Sequence, residues 1–229
     1  MKTSNARKVV PSSWTNSSVD LTYNRVVMRL ILASSSPRRQ GLLRDAGFDF
    51  DVLVSGVEET QLPNEAPESY VRRTARDKAL AVAAVSPVLS ATNDVGGDRS
   101  DDVIVLGADT EVVVDGEILG KPRDAEDAAR MLRLLSGRTH RVITGVCLAR
   151  PPDGIEALDH ETTLVTFRRL DDQEISDYVR SGEPFGKAGA YAIQGLGSRF
   201  VTRIEGCYFN VVGMPVALVY GLLKSLLPQ

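Results

Sequence analysis

Cysteine and histidine are scarce in this chain, with two of each among 229 residues. Cys147 and Cys207 lack metal-ligand spacing and sit in strand-like contexts, so they read as reduced core thiols. His140 and His160 have no partners at ligand spacing either, which argues against zinc chemistry and against a Ser-His-Asp triad. Aromatic residues make up 6% of the chain, and no stacking platform for single-stranded nucleic acid stands out among them. A formal net charge of -3 argues against a general nucleic-acid binder. No apolar run approaches the length of a membrane span. Residues 1–27, rich in Ser, Asn and Thr, contain no continuous hydrophobic segment of the secretory kind and read as a disordered tail. Met28, directly before the first convincing strand, is an alternative start. A cytoplasmic location follows by default.

What is present is an ordinary soluble composition, 43% hydrophobic and 25% charged, in a pattern that alternates helices and strands around central hairpins. Val26 to Ala33 and Val103 to Ala108 read as buried strands. Glu111 to Val114 and Glu117 to Leu119 flank Asp115-Gly116, a two-residue hairpin signal. Arg141 to Arg150 and Ile155 to Leu170 read as longer strands, and Ala190 to Ile193, Phe200 to Ile204 and Tyr208 to Val212 as short ones. Helices are expected from Pro37, from Pro67 to about Val85, and from Ala125 to Leu135 after the cap Asp124. A further helix follows the capping box Asp171/Glu174, and a last one runs from Pro215 to Leu227. The fold class is α/β with a mixed sheet. Residues 28–229 form one domain, and the polar stretch Ser90 to Asp102 is a surface insertion.

Ser34-Ser35-Ser36-Pro37-Arg38-Arg39 sits between a strand and a helix. Ser36 is a natural N-cap and Pro37 suits the first helical position. A helix N-terminus offers free N–H groups and partial positive charge to an anion. Two arginines in that first turn oppose the helix dipole but suit a polyanion, so Ser34, Ser36, Arg38 and Arg39 are candidate phosphate contacts. An ordinary capped helix with two solvated arginines remains the plain alternative.

Asp109 follows the buried run and can orient water or hold a divalent cation, with Thr110, Glu111 and Glu117 as oxygen donors nearby. It can equally cap a turn. Lys78 shares an inward helical stripe with Val71, Ala75 and Val82, where a lysine must snorkel, pair or meet an anion. Glu58-Glu59 lies in a loop able to pair with it. Gly116 to Pro122 fails as a phosphate-binding P-loop, because three residues separate its glycines and Pro122 replaces Ser or Thr. Lys121 remains a plausible phosphate contact. Gly186 to Gly197 lacks the dinucleotide fingerprint. Its small residues still permit close backbone approach, and Gln194 can read a base edge; a tight strand-turn-strand is the alternative. Together, four cations (Arg38, Arg39, Lys78, Lys121), the acids Glu59 and Asp109, and one amide suit a nucleoside triphosphate with Mg²⁺ or Mn²⁺.

These motifs also resemble, in order, the Maf family of nucleoside triphosphate pyrophosphatases: Leu32 to Arg39, Gly107 to Thr110, Leu119 to Asp124, Ser136 to His140 and Lys187 to Gly195. The resemblance spans roughly Leu30 to Leu226. It implies a mixed, curved β-sheet with flanking helices, two lobes around a central cleft, and a homodimer. The Lys-Ala-Gly-Ala-Tyr-Ala-Ile-Gln-Gly segment resembles the branch acting on dTTP and UTP. By resemblance Asp109 is the proton acceptor, Arg38, Thr110 and Gln194 tune base recognition, and Glu59, Lys78 and Lys121 belong to the substrate site. Glu59 and Asp109 are the expected metal ligands. Gly186 stands where many relatives carry an acid; if that acid helps hold metal or Lys187, activity or metal affinity is altered here. The implied activity is hydrolysis to nucleoside monophosphate and pyrophosphate, with a house-cleaning role against modified nucleotides. A division-regulating role through protein partners is the alternative that the family's name brings with it.

Overall fold

The computed structural model describes residues 28–85, 102–151 and 154–226. The expected disordered tail, the insertion up to residue 101 and part of the 151–154 turn lie outside these residues. Asp102, read as the end of the insertion, is the first residue of a strand.

Among the described residues, seven strands form one mixed sheet: β1 (Met28–Leu32), β2 (Asp51–Val52), β3 (Asp102–Val114), β4 (Glu117–Leu119), β5 (Thr139–Arg150), β6 (Gly154–Phe167) and β7 (Val201–Glu205). Their order is β2-β1-β3-β5-β6-β7, with β4 paired to β3. β1 runs parallel to β2 and β3, and the remaining pairs are antiparallel. The helices are α1 (Pro37–Asp45), α2 (Pro67–Ala83), α3 (Ala125–Leu135), α4 (Asp172–Arg180), α5 (Tyr208–Val212) and α6 (Val216–Ser225). This is the mixed α/β sheet with flanking helices that the sequence predicts. Among the described residues, no helix is long and apolar enough to cross a membrane.

Alternation along the central strands sends side chains to two cores. Leu30, Leu32, Ile104, Leu106 and Ala108 join the larger one, with α1, α3, α4 and α6. Ile31, Val103 and Val105 face α2, packing on Ala75, Ala79 and Val82. Two glycines let α2 lie unusually close to the sheet. A Cβ at Gly107 would stand 2.1 Å from the Ala75 carbonyl oxygen, and one at Gly145 would stand 2.2 Å from that of Val71. Gly145 is the cross-strand partner of Asp109. The close approach therefore brings a residue of α2 directly onto that carboxylate.

Three local expectations need correction. β3 is a single strand through Asp109, Thr110 and Glu111 rather than two strands with a break. Asp109 thus sits mid-strand, not beyond a strand end and not capping a turn. Tyr208 to Val212 is helical, although its aromatic and β-branched residues favour strand. Asn210 overrides that propensity: it is fully buried, and its side-chain N–H groups reach the Val142 carbonyl at 2.9 Å and Thr163 Oγ1 at 3.0 Å. Ala190 to Ile193 is not a strand, because Gly189 and Ala190 both take positive φ, 67° and 55°. Cys207 consequently caps α5 instead of lying in a strand, whereas Cys147 is buried in β5; both are free thiols.

Candidate active site

A cleft of about 430 Å³ opens where the β1–α1 loop, β3 and the 186–194 segment converge. Ser36 caps α1 by accepting the Arg39 N–H at 3.5 Å, with Pro37 in the first helical turn. Buried Ser34 accepts the Ser36 N–H at 3.2 Å and holds the loop over the helix end. Arg38 lines the cleft, and burial lowers its pKa from the ordinary arginine value.

Arg39, expected as a phosphate contact, lines the cleft and is also bonded within the fold. Its Nε donates to the Gly213 carbonyl at 2.9 Å, and one terminal nitrogen donates to the Ala108 carbonyl at 2.8 Å and to Ser34 Oγ at 3.3 Å. The other terminal nitrogen donates to Thr110 Oγ1 at 3.1 Å. The guanidinium is a strut joining α1, β3 and the α5–α6 turn. Thr110 Oγ1, itself in the cleft wall, also lies 2.9 Å from Thr144 Oγ1.

Charge alternates across the floor of the cleft. Lys78 Nζ lies 2.7 Å from Asp109 Oδ1 and 2.6 Å from Glu59 Oε1, and Lys121 Nζ lies 2.8 Å from Glu59 Oε2. Lys78 does not snorkel: it is 6% exposed, and Asp109 is 3% exposed. Burial acts to raise the Glu59 pKa, but hydrogen bonds from Lys121 and Lys78 overcome it and hold the carboxyl at about 2. Glu111 follows Asp109 on the same face of β3. Burial first, then the charges of Asp109 and Glu59, push its pKa up to about 8.

Two buried carboxylate oxygens, Asp109 Oδ2 and Glu111 Oε2, have no hydrogen-bond partner among the described residues. Both residues line the cleft. Among the described residues, no three acidic, histidine or cysteine side chains group as a complete metal cage. The donor set nevertheless fits a hard cation such as Mg²⁺, which takes one or two carboxylates and draws its remaining oxygens from water and substrate phosphate. Glu59, expected as a ligand, has each carboxylate oxygen on a lysine, so the unengaged oxygens belong to Asp109 and Glu111.

A further wall of the cleft comprises Gly186, Lys187, Ala188, Tyr191, Ala192, Ile193 and Gln194. Lys187 Nζ donates to the backbone carbonyls of Glu183 and Phe185, so holding it does not require an acid at position 186. Gly186 is exposed with φ 71°. Tyr191 is fixed from behind by His140, whose Nε2 lies 2.9 Å from the phenol oxygen.

Of the residues singled out from sequence, Ser34, Ser36, Arg38, Arg39, Glu59, Lys78, Asp109, Thr110, Lys121 and Gln194 all line this one cleft. Glu117 does not; it pairs with Arg130 at 2.8 Å. Sequence reasoning missed that Glu111 is buried beside Asp109. The i, i+2 spacing of two carboxylates on one strand was the available signal.

The chain is similar to known proteins along most of its length. Residues 29–226 match the family described as Maf-like protein. A dTTP/UTP pyrophosphatase from Koribacter versatilis is 52% identical over 204 residues, covering 89% of this chain and 97% of its own. One of the same name from Shigella sonnei is 50% identical over 196 residues, covering 86% and 92%. Among solved structures, a nucleoside-triphosphatase / dITP/XTP pyrophosphatase from Mycobacterium abscessus aligns with a TM-score of 0.42 at 17% identity, covering 88% of this chain and all of its own.

Proposed function

The chain belongs to the Maf family, and from that premise we propose that it hydrolyses dTTP and UTP to the nucleoside monophosphate and pyrophosphate. One observation carries the mechanism: Asp109 is buried with Oδ1 held by Lys78 and Oδ2 unengaged in the cleft. A carboxylate fixed on one oxygen can use the other to accept a proton from water attacking the α-phosphorus. The new bond joins that water oxygen to phosphorus, and the bond to the bridging oxygen of the β-phosphate breaks.

Arg38, Lys121 and the N–H groups at the start of α1 would hold the triphosphate and stabilise charge on the departing pyrophosphate. Glu111 Oε2 would take Mg²⁺ or Mn²⁺, giving up the carboxyl proton, and the cation would neutralise phosphate charge while Asp109 Oδ2 is left for the proton. Thr110 and Gln194 would face the base. We read the enzyme as a cytoplasmic homodimer that acts on free nucleotides rather than on nucleic acid and clears modified pyrimidine triphosphates.

The test is a nucleotide panel (dTTP, UTP, CTP, GTP and modified pyrimidine triphosphates) with Mg²⁺ or Mn²⁺, the products separated by chromatography. Monophosphate plus pyrophosphate from dTTP and UTP is expected. Diphosphate plus phosphate would overturn the cleavage position, and absence of turnover would overturn the reading as a whole.

A further inference from the structure

Glu183 lies in the turn after α4, outside the cleft lining. Its carboxylate accepts the backbone N–H of Leu196 at 3.0 Å and that of Gly197 at 2.9 Å. The Tyr178 hydroxyl donates to its Oε1 at 2.9 Å and accepts the Ala192 N–H at 3.1 Å. Gln194 is thereby anchored on both sides, two residues back through Ala192 and two and three residues on through Leu196 and Gly197. The same turn holds Lys187 through the carbonyls of Glu183 and Phe185.

The fit around the carboxylate is close. Gly195 has φ 79°, and a Cβ there would stand 2.6 Å from Glu183 Oε2. A Cβ at Gly197 would stand 2.8 Å from the Tyr178 hydroxyl oxygen. Burial acts to raise the Glu183 pKa. The Leu196 and Gly197 N–H groups and the Tyr178 hydroxyl outweigh it and keep the carboxyl below its ordinary value. At neutral pH the group is an anion receiving charge-assisted bonds.

We infer that Glu183 is a positioning residue for base selection: it fixes the backbone from which Gln194 reaches the cleft. This rests on the proposed reading of the 187–194 wall as the base-facing wall. An amide presents both a donor and an acceptor, so it discriminates between base edges only when its backbone cannot shift to exchange them. Glu183 supplies that restraint without touching the nucleotide.

The test measures kcat and KM for dTTP, UTP, CTP and GTP in the wild type, Glu183→Gln, Gln194→Ala and the double variant. Glu183→Gln turns an amide NH₂ toward one of the two backbone N–H groups. It should reduce the dTTP-over-CTP ratio of kcat/KM by about tenfold, mostly through KM. In the Gln194→Ala background it should change that ratio by less than about twofold, because both act through one contact. Tyr178→Phe keeps the ring packing against Phe200 and removes only the hydroxyl. It should shift the ratio in the same direction, and it carries the test if Glu183→Gln does not fold. A wild type with no dTTP/UTP preference overturns the functional reading. A wild-type preference that survives both variants, or effects additive with Gln194→Ala, overturn the role of Glu183 alone.

Discussion

Lys78 Nζ and Asp109 Oδ1 meet at 2.7 Å, with side chains 7% and 4% exposed. A buried pair of this kind is weak evidence for stability, since desolvating two charges offsets much of their attraction. What it achieves is orientation. Lys78 also binds Glu59, which binds Lys121, so the proton acceptor proposed here ends a row of alternating charges. The row holds one oxygen of Asp109 and leaves the other to the cleft.

Removing either member of the pair should have separable effects. Asp109→Asn should lower turnover about a hundredfold or more while the protein remains folded, as expected when a general base is lost. Lys78→Met strands a buried carboxylate and should cost about 3 kcal/mol or more in stability. Combining the two should recover much of that stability but none of the activity. Denaturant melts and initial rates on all three variants decide the matter; an active Asp109→Asn protein would refute the assignment.

Glu111 makes a pH prediction with the opposite sign to that of most carboxylates. Its folded pKa of about 8 lies above the ordinary 4.5. Between those values the folded state binds the extra proton, so stability is complete below about 4.5 and falls as pH rises through about 8. The span corresponds to at most about 5 kcal/mol. Glu111→Gln, which stays neutral, should be more stable than wild type at pH 8 in the absence of divalent cations and nearly equal to it at pH 4.5. Parallel stability–pH curves for the two proteins would contradict this.

Three helix starts were legible because caps are local chemistry. Ser36, Asp124 and Asp171 each bond to the backbone three residues on, and Asp115-Gly116 makes its turn with its own positive φ angles. Lys78 was legible as an exception on an apolar stripe. Less visible was how its partner is reached, since the approach of α2 depends on Gly107 and Gly145 standing on adjacent strands. That is a matter of register, not of either residue's neighbours in the chain. The continuity of β3 was obscured because Asp109, Thr110 and Glu111 look like a strand end, yet each is bonded or buried within the fold. The internal bonds of Arg39 were hidden for a further reason: two of its acceptors are main-chain carbonyls, which leave no trace in residue identity.

His140 should make the protein acid-sensitive. Burial lowers its pKa from 6.5 to about 4, and its Nδ1 has no hydrogen-bond partner among the described residues. The ring packs edge-on to Phe167 and Tyr191, where a charge would be poorly solvated. Between pH 6.5 and 4 the unfolded chain binds the extra proton, so stability is full above about 6.5 and lost as pH falls toward 4. The shift amounts to about 3 kcal/mol. His140→Gln should flatten this acid limb even if it lowers stability at neutral pH. Thermal melts from pH 7 to 4 would show it, and an unchanged slope in the variant would place the acid sensitivity elsewhere.

Arg38 and Arg39 are adjacent in sequence, and their substitution should separate binding from architecture. Arg38 lines the cleft beside the N-terminus of α1, so Arg38→Ala should raise KM for the nucleotide about tenfold or more while leaving the melting temperature within a few degrees. Arg39 bridges Ala108, Gly213, Ser34 and Thr110 with a fork that lysine cannot reproduce. Arg39→Lys leaves at least one of these part-buried acceptors unpaired and should cost about 2 kcal/mol. It should also disturb base preference through Thr110 more than it disturbs triphosphate affinity. Parallel melts, with KM measured for dTTP and for inorganic tripolyphosphate as a competitive inhibitor, distinguish the two roles. If Arg39→Lys instead weakened tripolyphosphate as much as Arg38→Ala did, with its melting temperature unchanged, the strut would have to be read as a phosphate contact after all.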